Sequence, residues 1–233
     1  MCGTFECKRI DDGVVVYRSG ALFAGVLFGI ALTTVFQTLL TSGKYKCNYC
    51  YYPILFLTTM WRSLTNEQIL AWNKLALSQE AKSVLGTKGK ISGANLFTRL
   101  NYWIVACGGS ALTTPPTLVG VETPGACTIV CTGSAFTFKL DAVPTDVTNL
   151  KLVIEATEGQ SNGVSRAYSK AAQIKMVSSP STSAVDIKSD YEAKNGVLGA
   201  GAPKVFFRYY FVNSATGEKS GIMLASVTWT AGE

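Results

Sequence analysis

Three patterns of apolar and polar residues succeed one another along the 233-residue chain. The first is a continuous apolar run. Ser19 to Gly43 holds no charged residue. Its centre, Ala21 to Leu40, is about 20 residues long, the length a helix needs to cross a bilayer. Arg18 precedes it, and Lys44 and Lys46 follow. The expectation is a membrane helix over 21–41. The polar Thr33, Thr34, Gln37, Thr38 and Thr41 keep a packed helix or strand pair of a larger assembly open as the alternative. The run is too long for the apolar part of a cleavable leader, and no small-x-small site closes it. A second apolar run, Ile54 to Trp61, is too short to span alone.

The second pattern has helical spacing. Thr65-Asn-Glu-Gln68 forms a capping box, in which the Thr65 hydroxyl accepts from the Gln68 amide and the Gln68 side chain reaches back. Leu64 and Ile69 take the staple positions around it. Ile69, Trp72 and Ala76 then share one face, with Leu75 beside them. This helix is expected to end near Val84-Leu85-Gly86, with a loop over 86–91. A second helix starts at Ser92 or Gly93, carries Leu96, Phe97, Leu100, Trp103, Ile104 and Cys107 at helical spacing, and stops at Gly108-Gly109. The reading is an αα-hairpin over 61–110, with Trp61, Trp72, Phe97 and Trp103 as its core seam.

Thr113-Thr-Pro-Pro116 marks 111–116 as a linker, because two prolines exclude helix. Beyond it the spacing shortens to alternation. Strands are expected at 117–122, 135–140, 150–156, 168–177, 184–187, 205–212 and 222–230, with a helical turn at 189–194. Seven short strands with Gly, Pro, Asn and Asp between them predict an antiparallel β-sandwich over 117–233. The fold class is therefore α+β in several parts: an apolar segment over 1–60, a helical hairpin, a linker and a sandwich.

Charge and chemistry narrow the function. Charged residues make up 15% of the chain, against about 25% in an average domain. The net charge of +6 is uneven. Residues 61–110 carry six basic and two acidic residues, whereas 111–233 carry ten of each. The excess suits a solvated face better than a dedicated nucleic-acid stripe. Lys74, Lys82, Lys88, Lys90 and Arg99 are the residues that would meet phosphates. The chain has no histidine, so Ser-His and Cys-His dyads and the commonest general base and metal ligand are excluded.

Seven cysteines occur: Cys2, Cys7, Cys47, Cys50, Cys107, Cys127 and Cys131. Cys47-Asn-Tyr-Cys50 has neither a matching second pair for zinc nor a thioredoxin-like context, so free thiols are expected. Cys127 and Cys131 share parity on one run. Asp186, Asp190 and Glu192 match no calcium loop and are read as solvating a turn. With no phosphate loop and no nucleophile motif, no catalytic residue, cofactor or metal is assigned.

Two resemblances add to this. Arg208-Tyr-Tyr-Phe-Val-Asn213-Ser-Ala-Thr-Gly217-Glu-Lys-Ser220 resembles the last two strands of fibronectin type III domains. It marks Asn213, Thr216, Gly217 and Lys219 as an interaction loop. The segment carrying Trp61, Leu64, Thr65, Gln68, Ala71, Trp72, Asn73 and Ala76, then Ser92, Gly93, Asn95, Leu96, Phe97 and Asn101, resembles small proteins of tailed phages and Bacteroidetes prophages. These join a helical hairpin to a fibronectin- or immunoglobulin-like domain. The resemblance implies a non-enzymatic virion or surface component, with protein partners in a homo-oligomer or among assembly neighbours. Such proteins usually open with a polar basic arm, and only Gly13 to Arg18 looks like one here. Either this chain carries a membrane anchor, or 1–60 is an atypical start. The alternatives in function are nucleic-acid binding through the basic hairpin and a membrane-anchored surface adhesion module.

Overall fold

The computed structural model describes residues 9–10, 14–15, 51–82 and 88–231. The expected membrane helix over 21–41, the Cys47–Cys50 pair, Cys2 and Cys7 lie outside them. Among the described residues no helix is long and apolar enough to cross a membrane. The chain forms two compact units, 1–53 and 54–233. In the first, β1 (Arg9–Ile10) pairs antiparallel with β2 (Val14–Val15).

The second unit opens with helices. α1 (Tyr51–Ser63) belongs to it from Ile54 onward. α2 (Asn66–Leu77) follows immediately, then a two-stranded ribbon of β3 (Glu80–Lys82) and β4 (Lys88–Lys90), then α3 (Gly93–Ala106). The start of α2 is the capping box read from the sequence: Gln68 N donates 3.3 Å to Thr65 Oγ1, and Thr65 N donates 2.9 Å to Gln68 Oε1. The end of α2 corrects the sequence reading. It stops at Leu77 rather than near Gly86, because Ser78 turns its amide and its hydroxyl back onto Leu75 O and the chain then pairs as β3 with β4. Two expected helices are in fact three, since Trp61 lies on α1.

The β half contains two antiparallel sheets. One orders β5 (Cys127–Cys131), β6 (Phe136–Leu140) and β9 (Val185–Asp186). The other orders β11 (Met223–Thr228), β10 (Lys204–Asn213), β7 (Leu150–Ala156) and β8 (Ala172–Val177). α4 (Lys188–Asn195) follows β9, at the helical turn expected there. The strand expected at 117–122 is absent, and β5 takes its place. Gly120 has φ 76°, which breaks an extended chain, and the amides of Val119 and Gly120 donate to the Glu218 carboxylate instead of to a neighbouring strand.

Alternation explains the core. Phe136, Phe138 and Leu140 of β6 and Cys131 of β5 face Leu152, Ile154 and Ala156 of β7 and Val205, Phe207, Tyr209 and Phe211 of β10. Ile187 and Tyr191 close one end. Odd-numbered residues of β10 thus point between the sheets. The even-numbered Phe206, Tyr210 and Val212 point the other way, yet each is at most 1% exposed. That second buried face leads to the functional surface.

Candidate interaction surface at the helix–sheet joint

The helical part has its own core. Trp72 and Phe97 are fully buried, with ring centroids 5.2 Å apart and nearly perpendicular. Trp61 lies 5.4 Å from Phe97, and Leu64 is 8% exposed. Leu57, Leu96 and Leu100 complete the cluster. Asn73 sits where α2 meets the start of α3: a Cβ on Gly93 would lie 2.9 Å from the Asn73 amide nitrogen, so only glycine permits the approach. Asn95 contributes its backbone, donating 3.3 Å to the α3 N-cap Ser92 Oγ. Thr65, Gln68 and Asn95 therefore act at helix starts, whereas Trp61, Leu64, Trp72 and Phe97 share one core.

Sequence reasoning did not assign a role to Asn101. It is fully buried, accepts 2.5 Å from Leu112 N and donates 3.3 Å to Leu112 O. Its amide acts as a strand partner for the linker. Trp72 Nε1 adds a 2.8 Å bond to Thr113 O. The linker is thus strapped to the helices at its start.

α3 also presents a second face. Trp103 and Cys107 pack over Val153, Tyr210, Val212 and Met176, the outer side of the four-stranded sheet. The Trp103 and Tyr210 rings meet edge to face at 5.7 Å. The Lys219 ammonium stands 3.4 Å from the Tyr210 ring centroid and 5.6 Å from that of Trp103. Tyr210 donates 2.6 Å to Glu155 Oε1, and Arg208 Nε pairs with Glu155 Oε2 at 3.2 Å. Lys151 Nζ donates 2.6 Å to Cys107 O, placing a cation at the carbonyl end of α3. Burial pushes the Lys219 ammonium below its ordinary pKa, partly offset by Glu155. Burial and the bond to Glu155 hold the Tyr210 phenol above its own, so it remains a donor.

The loop of Asn213, Thr216, Gly217 and Lys219 lies at this joint. Asn213 Oδ1 accepts from Ala215 N and Thr216 N at 2.9 and 3.2 Å. Gly217, at φ 73°, presses onto α3: a Cβ there would lie 2.6 Å from the Leu100 carbonyl carbon and closer still to its oxygen. Thr216 Oγ1 donates 2.9 Å to Glu218, whose carboxylate also accepts from the amides of Val119 and Gly120, just beyond the linker. The turn consequently binds the helix, the chain after the linker and the sheet together. The sequence signal for this is the apolar run of β10, interrupted between Val205 and Val212 by Arg208 alone, since a strand apolar on both faces has both faces covered.

Elsewhere the chemistry is spare. A cleft of about 170 Å³ beside Phe136, Tyr191 and Trp229 includes Lys188, whose ammonium donates 2.8 Å to Gly133 O. A second, of about 300 Å³, is lined by Glu158, Gln160, Lys170 and Lys194. Asp186 accepts 2.9 Å from Lys188 N, and Asp190 pairs with Lys175 at 2.6 Å. Among the described residues no three acidic or cysteine side chains group to hold a metal, and Cys107, Cys127 and Cys131 are free thiols. Comparisons with protein-family models, with curated proteins and with solved structures return no match for this chain.

Proposed function

We propose that the chain is a non-enzymatic structural or interaction protein, a component of a phage particle or bacterial surface, in which a fibronectin type III-like sandwich is displayed on a helical base. The observation that carries this reading is the joint: α3 covers the outer face of the four-stranded sheet through Trp103, and the β10–β11 turn seats Gly217 on Leu100. Such a contact fixes the sandwich relative to the helices, which suits a display module and serves no chemistry of its own. The strand order supports the fibronectin-like part. Lettered A, B, C, C′, E, F and G in chain order, with no strand D, the sheets read A-B-E and G-F-C-C′. A constant-type immunoglobulin domain would instead place its fourth strand beside A, B and E. One departure is the buried tyrosine tether: Tyr191 sits on a helix between E and F and donates 2.9 Å to Thr157 O, at the end of strand C.

With one sandwich face covered by α3, the free sandwich loops and edges are left for protein partners, either further copies of this chain or assembly neighbours. Fractionation of cells expressing the full chain tests this. The expected result is co-sedimentation with assembled particles or with the surface fraction. Recovery wholly as a soluble monomer overturns it.

A further inference from the structure

We propose that Asn162 is a site of spontaneous modification, at which the Gly163 nitrogen closes onto the Asn162 side chain and water then converts the amide to an acid. The chain holds Asn-Gly twice, at 162–163 and at 195–196. Glycine after asparagine puts no side chain in the way of the attacking nitrogen, so the two pairs are chemically alike. The fold treats them in opposite ways.

Asn162 and Gly163 are the central residues of a turn in which Val164 N donates 3.1 Å to Ser161 O. Ser161, Asn162 and Gly163 are all exposed. Among the described residues neither the Asn162 side chain nor Gly163 N has a hydrogen-bond partner. A Cβ built on Gly163 would meet nothing within 4 Å. The stem of this loop is fixed. Gln160 N donates 2.7 Å to Lys204 O, Lys204 N returns 3.0 Å to Gln160 O, and Lys204 Nζ donates 3.1 Å to Val164 O. The tip can therefore bring Gly163 N onto Asn162 Cγ by opening one turn bond, while the stem stays paired.

Asn195 is the last residue of α4. Its Nδ2 is buried, and Gly196 N donates 3.0 Å to Glu192 O, closing the helix. The nucleophile is occupied there, and the last helical turn must open before a ring can form.

The reaction needs only water and hydroxide. Gly163 N gives its proton to hydroxide and bonds to Asn162 Cγ. The Cγ–Nδ2 bond breaks, and ammonia leaves with a proton taken from water. Water then adds to one of the two carbonyls of the cyclic imide. Addition at Cγ gives aspartate; addition at the backbone carbonyl reroutes the chain through Cγ and gives isoaspartate. Either product sets a carboxylate where a neutral amide stood, near Lys204 and Arg166 on the same loop. The chemistry is independent of whether the sandwich displays partners.

The full chain is incubated in neutral and mildly alkaline buffer made with heavy-oxygen water. Its peptides are then read by mass spectrometry with electron-transfer fragmentation, which separates isoaspartate from aspartate. Both acids should accumulate at 162, each carrying one heavy oxygen, and faster in the alkaline buffer. The rate at 162 should exceed that at 195 roughly tenfold, the ratio given by the net worth of one backbone hydrogen bond. In urea the two rates should converge, because the fold alone distinguishes the sites. Gly163→Val places a branched side chain beside the attacking nitrogen, in open space, and should suppress the reaction at 162 while leaving 195 unchanged. Modification at 162 no faster than at 195, or aspartate without isoaspartate, overturns the proposal. A rate ratio that persists in urea also overturns it, since flanking sequence rather than the turn would then set the rate.

Discussion

At the scale of single residues, the sandwich core pairs the polar atoms of Thr157 and Tyr209. The Thr157 hydroxyl accepts 3.2 Å from Phe206 N, and its carbonyl accepts 2.9 Å from the Tyr191 hydroxyl. Tyr209 donates 2.9 Å to Gly125 O, tying the segment that leads into β5 to the core. Cys131 lies in the same core. It is 3% exposed, and burial pushes its thiol from 9.0 to about 11. Burial likewise raises Cys127, with the Tyr209 hydrogen bond opposing and Asp141 adding to the rise. A folded pKa above the unfolded one favours folding while the thiol is protonated. That stability is fully present below pH 9 and is lost as pH climbs through about 11. Urea denaturation between pH 8 and 11 should therefore show stability falling by about 1 kcal/mol or more from Cys131 alone, and Cys131→Ala should flatten that part of the profile. The same burial makes the thiol inert at pH 8: iodoacetamide should label Cys131 only after denaturation.

At the scale of elements, what was legible in the sequence is what neighbouring residues decide. The Thr65–Gln68 box, the Ser92 start of α3 and the alternation of β6, β7 and β10 depend on partners a few residues away, and they appear where expected. The failures are of two kinds, partners distant in the chain and a local stop, since Ser78 closes α2 onto Leu75. Residues 117–122 have strand composition, but Glu218, 99 residues from Val119, takes their amides. Val84 and Leu85 prolong the apolar rhythm of α2, but β3 pairs with β4 across them. The helix–sheet joint was hidden for the same reason: Trp103 and Tyr210 lie on either side of the linker. The turn that closes this joint gives the sharpest test. Gly217→Ala adds a Cβ to a residue at φ 73° against the Leu100 carbonyl. The left-handed conformation alone costs an L-residue about 1–2 kcal/mol, and the backbone contact adds to it. Gly163, with nothing within 4 Å of its added Cβ, is the control. Urea midpoints should drop for Gly217→Ala and stay within about 0.5 kcal/mol for Gly163→Ala. Equal midpoints would mean that the turn does not hold the joint.

At the scale of the whole second unit, two cores share one sheet. The core between the sheets is built entirely from residues after the linker, from Cys131 to Phe211. The outer-face cluster of Val153, Tyr210 and Val212 is covered from before the linker, by Trp103 and Cys107. Cutting at the linker should therefore separate folding from full stability. A fragment of residues 117–233 keeps its central core and should give an all-β far-ultraviolet spectrum. It loses its cover over three side chains now at most 1% exposed, and fully burying one such side chain is worth about 1.5–3 kcal/mol. Relative to a fragment of residues 54–233, its stability should fall by roughly 2–4 kcal/mol, since the freed rings repack in part. The uncovered Tyr210 and Val212 should also bind an apolar dye or drive self-association, and restoring residues 54–116 should suppress both. If 117–233 unfolds as steeply and as late as 54–233, α3 is an attached helix rather than a structural cover. If the fragment is helical or unfolded, the sandwich does not stand as a module, and a display function built on it fails with it.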